Sequence, residues 1–182
     1  MPAGFTPYLT TERLVLRPIE LQDRATVFAY RSDKRTNRYQ GFVPERIEQV
    51  EDFIHRQPDS WNVPDSWFQL VIIENSTESL IGDIGVHFLE DERQCEIGIT
   101  LQAESHRNGY AKEALSALFD HLFSDLKKHR ITASVDPRNI SCISMLEGLG
   151  FRKEAHFREA VFFKGEWVDD FVYGLLDHEW KK

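Results

Sequence analysis

Apolar and polar positions alternate with the period of a strand over Arg13–Ile19, where Leu14 and Leu16 oppose Arg13 and Arg17 and Pro18 ends the run or marks a sheet edge. The period then lengthens. Leu21, Ala25, Val27, Phe28 and Ala29 recur near helical spacing up to Arg31. Ile47, Val50, Phe53 and Ile54 share one face of a second helix from Pro44 to about Arg56, with Pro44 in the first helical position. Strand character returns in Ser66–Glu74, breaks at Asn75-Ser76-Thr77-Glu78, and resumes in Leu80–Phe88 and Cys95–Leu101. The strongest helical stripe follows from Tyr110 to about Lys128. It carries Ala111, Ala114, Leu115, Leu118, Leu122 and Leu126, with Lys127 and Lys128 suited to the negative end of the helix dipole. A strand over Arg130–Val135, a helix over Asn139–Leu149 and two long strands, Phe151–Phe163 and Trp167–Leu176, complete the pattern, the last two joined across Lys164-Gly165-Glu166. The fold class this predicts is α/β, a mixed central sheet of about seven strands with helices on both faces.

Length and composition narrow the picture. With 182 residues and 41% hydrophobic content the chain suits one domain spanning residues 1–182, and no repeat or Gly/Ser/Pro-rich linker invites a cut. A net charge of −8 argues against a surface built to neutralise nucleic-acid phosphates. No run approaches the roughly eighteen apolar residues of a membrane span, and Met1 to Thr11 lacks the basic-then-apolar design of a secretory signal, so the expected location is the cytoplasm. Cys95 and Cys142 stand far apart with no CxxC, and the seven histidines show no HxxxH or HExxH spacing; neither a disulfide framework nor a metal site is expected.

Three segments carry candidate chemistry. The first is His106-Arg107-Asn108-Gly109-Tyr110-Ala111, which joins a strand to a helix whose first N–H groups have no intrahelical acceptor. Phosphates bind such helix ends. Gly109 there can adopt positive φ and lets a pyrophosphate near the backbone, although a lone Gly before a helix is more often a plain turn residue. The second is the strand Cys95–Leu101, in which Glu96, Gly98 and Thr100 share one face and Gly98 is out of place unless something must come close. The third is Asp136–Cys142, where Asn139 reads as a helix N-cap, with Gly150 suited to the left-handed end of that helix. Two strands that each lead into a helix frame a cleft of the kind in which α/β folds bind ligands.

In order and spacing these segments resemble the GNAT acetyltransferases, in particular their RimJ/RimL-type branch of ribosomal-protein N-terminal acetyltransferases. The resemblance covers nearly the whole chain. It rests on Leu9–Arg17, Glu96-Ile97-Gly98-Ile99, Gly109–Ala114, Asn139–Cys142, Leu146–Phe151 and Val168–Leu176. It implies a strongly bent sheet in which Cys95–Leu101 splays from Arg130–Val135, so that the pantetheine of acetyl-CoA lies in the gap. His106, Arg107, Asn108, Gly109, Tyr110 and Ala111 would hold the pyrophosphate. Ile99, Thr100 and Leu101 would pair with the pantetheine amides through their backbone, and Asn139 would face the arm near the thioester. The chain departs from the family pattern where His106 takes a slot usually filled by Gln or Arg, Arg107 one where Gly is common, Cys142 one often held by Ser, and Gly148 one usually held by Lys.

The implied reaction is direct attack of a primary amine on the thioester in a ternary complex, the amine belonging to a protein N-terminus or to a small molecule such as a polyamine or aminoglycoside. A free α-amine has a pKa near about 8 and a lysine about 10.4, so a base must take the proton. Glu96 is the first candidate, directly or through a water, and Tyr173 or Cys142 would supply a proton to the leaving thiolate. The oxyanion would lean on a backbone N–H near Leu101. The alternative is a non-catalytic acyl-CoA sensor or interaction domain. Acceptor selectivity is expected from Arg31–Gln40, from the loop between Trp61 and Trp67 and from the hairpin His156–Trp167, and self-association into a homodimer from an exposed C-terminal strand.

Overall fold

A computed structural model gives the structure of the protein over residues 7–180, so the start of the segment read for a secretory signal lies outside the described residues. The strands are β1 (Leu9–Thr10), β2 (Leu14–Pro18), β3 (Ser66–Glu74), β4 (Ser79–Phe88), β5 (Gln94–Leu101), β6 (Arg130–Val135), β7 (Arg152–Phe163) and β8 (Glu166–Leu176). They form one eight-stranded sheet in the order β1-β2-β3-β4-β5-β6-β8-β7. Every neighbouring pair is antiparallel except β5 and β6. The helices are α1 (Arg24–Arg31), α2 (Ile47–His55), α3 (Tyr110–Asp120) and α4 (Ile140–Gly148).

Alternation along the strands sorts two cores to the two faces. Val71 of β3 packs with Val27 and Tyr30 of α1 and Val50 and Ile54 of α2. Its neighbours Leu70 and Ile72 point the other way, into a larger core with Ala114, Leu115 and Leu118 of α3 and Leu146 of α4. Cys95 and Ile97 of β5 belong to that second core, so Glu96, Gly98 and Thr100 look out on the α1/α2 face.

Four sequence expectations need correction. Among the described residues the strands number eight rather than about seven because Leu9 and Thr10 pair with Leu16 and Val15. The second helix begins at Ile47, not Pro44, since Arg46 is extended and Gln49 Oε1 accepts the N–H groups of Glu45 (2.7 Å) and Arg46 (3.2 Å) to close the start. Leu21–Asp23 is a 3-10 turn leading into α1. The long helix does not run to Lys128: α3 gives way to a π turn over His121–Asp125, where the Leu126 N–H reaches the His121 carbonyl at 3.1 Å, and Lys127 turns left-handed at φ 55°. Lys128 is therefore no dipole partner. It is buried, donates from Nζ to the Glu92 carbonyl (2.6 Å) and lies 4.9 Å from the Phe88 ring centroid.

The C-terminal strand expected to mediate self-association, β8, is paired on both sides, by β6 and β7, so the edge at this end of the sheet is β7. It is exposed almost throughout, but a bulge between Phe157 and Val161, with Glu159 at φ 46°, interrupts the line of backbone groups along it.

Candidate active site

The site is set by a fork in the sheet. β5 pairs with β4 along Cys95–Leu101 but with β6 only at Gln94↔Arg130, Cys95↔Ile131 and Glu96↔Thr132. The alternation of backbone groups tells which atoms face the opening. The Gln102 N–H bonds the Ile81 carbonyl (2.9 Å), so even-numbered residues of this strand turn their peptide groups toward β4, while the Cys95 carbonyl receives Thr132 Oγ1–H (3.4 Å) from β6. Ile99 and Leu101 then present theirs to the fork. Two side chains meet their carbonyls there: Gln40 Nε2–H donates to Ile99 O at 3.0 Å, and His106 Nε2 lies 3.0 Å from Leu101 O. A carbonyl can only accept, so the His106 proton sits on Nε2.

Beyond Leu101 the chain enters the loop that the sequence marks for phosphate. Arg107 (φ 62°) and Gly109 (φ 81°) both adopt the left-handed conformation, which accounts for a family preference for Gly at the Arg107 position. Among the described residues, no backbone N–H from 107 to 112 has a protein acceptor, and these amides precede or open α3. Arg13 braces the loop from the far side of the sheet. Its Nη1–H donates to the Asn108 carbonyl (3.1 Å), its Nε–H to Glu113 Oε2 (2.7 Å), and its guanidinium lies 4.6 Å from the Tyr110 ring centroid. Tyr110 in turn donates its hydroxyl to Glu74.

On the α1/α2 face of the fork, cross-strand registers place Trp67, His87, Glu96 and Thr132 in one row. The exposed Trp67 ring stacks on His87 with centroids 4.9 Å apart. The next row holds Gln69, Gly85 and Gly98. A Cβ at Gly98 would meet nothing within 4 Å, so the strand is open beside Glu96. Burial pushes the half-buried Glu96 carboxyl above the ordinary carboxylate range; His87 opposes that rise and the Asp170 carboxylate adds to it. Asp170 itself accepts Ser134 Oγ–H at 2.7 Å. Two residues past Gly98, the buried Thr100 hydroxyl has no partner among the described residues.

The α1–α2 connection closes this face. Tyr39 donates its hydroxyl to the Arg138 carbonyl (3.0 Å), and Lys164 Nζ, at the β7–β8 turn, donates to the carbonyls of Asn37 and Arg38 (2.9 Å each). Two of the segments expected to set acceptor selectivity thus touch. Of the third, Trp67 lies on the same face as Glu96, stacked on His87, whereas Trp61 is buried against Phe68 and Phe88 in the core on the α3 side.

The sequence profile of the acetyltransferase (GNAT) domain matches residues 13–152. The chain belongs to the GNAT acetyltransferase family. This acetyltransferase is 30% identical over 176 residues to the uncharacterized N-acetyltransferase YnaD of Bacillus subtilis (strain 168), with 95% of this chain and 99% of that one covered. It is 25% identical to the ribosomal protein uS5 alanine N-acetyltransferase of Escherichia coli (strain K12), over 94% and 92% of the two chains. The spermidine N-acetyltransferase of Vibrio cholerae, solved with CoA and spermine, shares the fold with a TM-score of 0.80 at 21% identity, over 93% and 99%. The protein is accordingly an acyltransferase of a family that moves an acetyl group from acetyl-CoA to an amine.

The acetyltransferase does not gather all its candidate residues in one place. Glu96, Ile99, Leu101 and the loop 106–111 line the fork or its mouth, whereas Thr100, expected to pair there through its backbone, turns its peptide groups toward Asp83 on β4. His106 turns its ring back to the strand, away from the loop it was expected to serve. Asn139 Oδ1 accepts the Cys142 N–H at 3.3 Å, the capping role read from the sequence. Cys142 lies in the first turn of α4, and burial pushes its thiol up to about 11. Tyr173 is registered with Ala133, one step from the Thr132–Gly174 rung that continues the Glu96 row, so its side chain lies on the opposite face from Glu96. There it is buried and donates its hydroxyl to Glu147 Oε1 (3.0 Å); burial, with that carboxylate, raises its pKa. The sequence marks Arg13 only as a polar position of a strand and Gln40 only as the end of a segment expected to set acceptor selectivity; it gives no sign that Arg13 holds the loop or that Gln40 bonds β5.

Proposed function

We propose that the acetyltransferase binds acetyl-CoA across the fork and passes the acetyl group directly to a primary amine that enters on the α1/α2 face. One observation carries this: a strand edge with unpaired amides runs into a loop of six free backbone N–H groups, while a carboxyl of raised pKa stands at the last paired rung. The free N–H groups of 107–112 suit the pyrophosphate, and the Ile99 and Leu101 peptide groups suit the amides of an extended arm, as a strand edge suits an added strand. Glu96 takes the amine proton, directly or through a water, since a carboxyl lifted by burial is a better base near neutral pH. The fork-facing Leu101 N–H polarises the thioester carbonyl. For the leaving thiolate, Cys142 at the head of α4 is favoured over its neighbour Tyr173, whose proton is engaged by Glu147.

The acceptor is a cationic amine, whether a protein N-terminus or a polyamine-like small molecule. Support comes from the exposed Trp67 ring and from Glu96 and Asp170, which suit positive charge. Relatives named for a ribosomal-protein alanine and for spermidine span the same two classes.

The test is release of free CoA thiol from acetyl-CoA with a panel of polyamines, aminoglycosides and N-terminal peptides. Turnover by the wild type and a loss of about 10²-fold or more in kcat for Glu96→Gln at neutral pH are expected. Tight acetyl-CoA binding with no thiol release from any amine would instead make the chain a sensor, and an unchanged Glu96→Gln rate would remove the base assignment.

A further inference from the structure

The segment Asn37–Gln40 crosses the mouth of the fork, and each of its fastenings ends on a backbone carbonyl. Gln40 is tied to Ile99 on β5, Tyr39 to Arg138 just beyond β6, and Asn37 and Arg38 to the Lys164 ammonium at the β7–β8 turn. The strap therefore joins both arms of the fork to the hairpin. The Gln40 contact stands apart from the others because of what it bonds. The Ile99 carbonyl belongs to the unpaired edge of β5, and a primary carboxamide N–H is the nearest side-chain equivalent of the amide N–H that an extended ligand would bring to that edge. An arm lying along β5 would also fill the space in which the Gln40 side chain runs.

We propose that Gln40 is a positioning residue that holds the place of a pantetheine amide in the ligand-free enzyme. Acetyl-CoA displaces it from Ile99, and the displacement loosens the strap over the amine-binding face. The inference rests on the proposed placement of acetyl-CoA along β5. Its physical basis is competition for one acceptor: the Gln40 hydrogen bond must be given up before the arm can bond there, so part of the cofactor's binding free energy goes into releasing residues 37–40. The strap holds only a few local backbone bonds of its own, Asn37 N–H to Asp33 O and Gln40 N–H to Asn37 O (3.0 Å each). Asn37 Nδ2–H holds the root of the strap on Tyr30 O (2.6 Å) and Asp33 O (3.0 Å), so loss of the Ile99 anchor loosens the Gln40 end. Cofactor binding and access for the amine are thereby coupled through one side chain, and the coupling is reciprocal.

The experiment measures CoA binding by calorimetry and amide hydrogen exchange across residues 33–41, for the wild type, Gln40→Ala and Lys164→Met. Removing a competing hydrogen bond worth about 0.5–1.5 kcal/mol should tighten CoA binding by about three- to tenfold in Gln40→Ala. Lys164→Met, which unfastens the other end of the strap and leaves Ile99 untouched, should shift affinity in the same direction. In the wild type, CoA should speed exchange in 33–41; in Gln40→Ala exchange should be fast before CoA is added. Equal CoA affinities in the wild type and Gln40→Ala, or slower exchange in 33–41 on CoA binding, would overturn the proposal. Failure of the wild type to bind CoA at all would instead strike the functional reading beneath it.

Discussion

Glu96 is costly to the fold at the pH where its proposed role as base needs it ionised. Its carboxyl is raised chiefly by burial, so the folded protein holds the proton more tightly than the unfolded chain. The sign follows from linkage: stability falls as pH climbs from the unfolded pKa through the raised folded one, because there the native state binds more protons. Glu96→Gln removes the titration and should therefore raise the melting temperature at pH 7. The gain should shrink as pH drops through the carboxylate range. Thermal melts of the two proteins from pH 4 to pH 8 check this; a Gln variant that is less stable at pH 7 would show that the charged carboxylate is held by partners rather than merely tolerated. A group that destabilises its own fold when ionised is what a proton acceptor in a cleft requires.

Among the elements, β5 separates two uses of glycine. A Cβ at Gly82 of β4 would sit 2.3 Å from the Thr100 carbonyl, so Gly82 is needed to let β4 and β5 approach. Gly98 has no such neighbour and no positive φ, so the intact fold does not require it. Gly98→Ala should accordingly keep or raise stability, by about 0.5–1 kcal/mol at most, while lowering kcat/KM through the acceptor. Gly82→Ala should unfold the protein at far lower denaturant; chemical denaturation and acceptor kinetics on both variants decide the matter, and an equal stability loss in the two would erase the distinction.

The same strand shows how far the sequence could be read. The face shared by Glu96, Gly98 and Thr100, the strand-to-helix joins at both sides of the fork and the Asn139 cap all follow from local periodicity and residue type, and the structure has them. What escaped depends on contacts distant in sequence. Gln40 meets a strand 59 positions away and Arg13 a loop 95 positions away, and a lone polar side chain in a loop leaves no pattern to detect. The end of α3 escaped for another reason: the π turn keeps Leu122 and Phe123 buried, so the apolar stripe reads on unbroken past the point where the α-helix stops.

Across the whole molecule, a buried ionic network ties the α1/α2 face, proposed to receive the amine, to the sheet. Asp83, fully buried on β4, accepts hydrogen bonds from Tyr30 Oη (2.5 Å), Arg31 Nε (2.7 Å) and Nη2 (2.5 Å), and Gln69 Nε2 (3.0 Å). It lies opposite Thr100 on β5, and the Tyr30 carbonyl receives Asn37 Nδ2–H (2.6 Å), so the network reaches from the fork to the root of the strap. Removing one partner would strand the other charge away from water, which typically costs about 3–5 kcal/mol, whereas replacing both with apolar groups can cost little. Asp83→Asn should thus lose about that much unfolding free energy, and Arg31→Met combined with Asp83→Leu should lose less than Asp83→Asn alone. Denaturant titration of the three proteins tests this, and a double variant that loses as much as Asp83→Asn or more would contradict it. The double variant also separates stability from function: with the fold kept but the Asp83 anchor of Tyr30 and Arg31 gone, acetyl-CoA affinity should hold while turnover with amines falls, because the network braces the face proposed to receive the amine rather than the loop proposed to hold the phosphates.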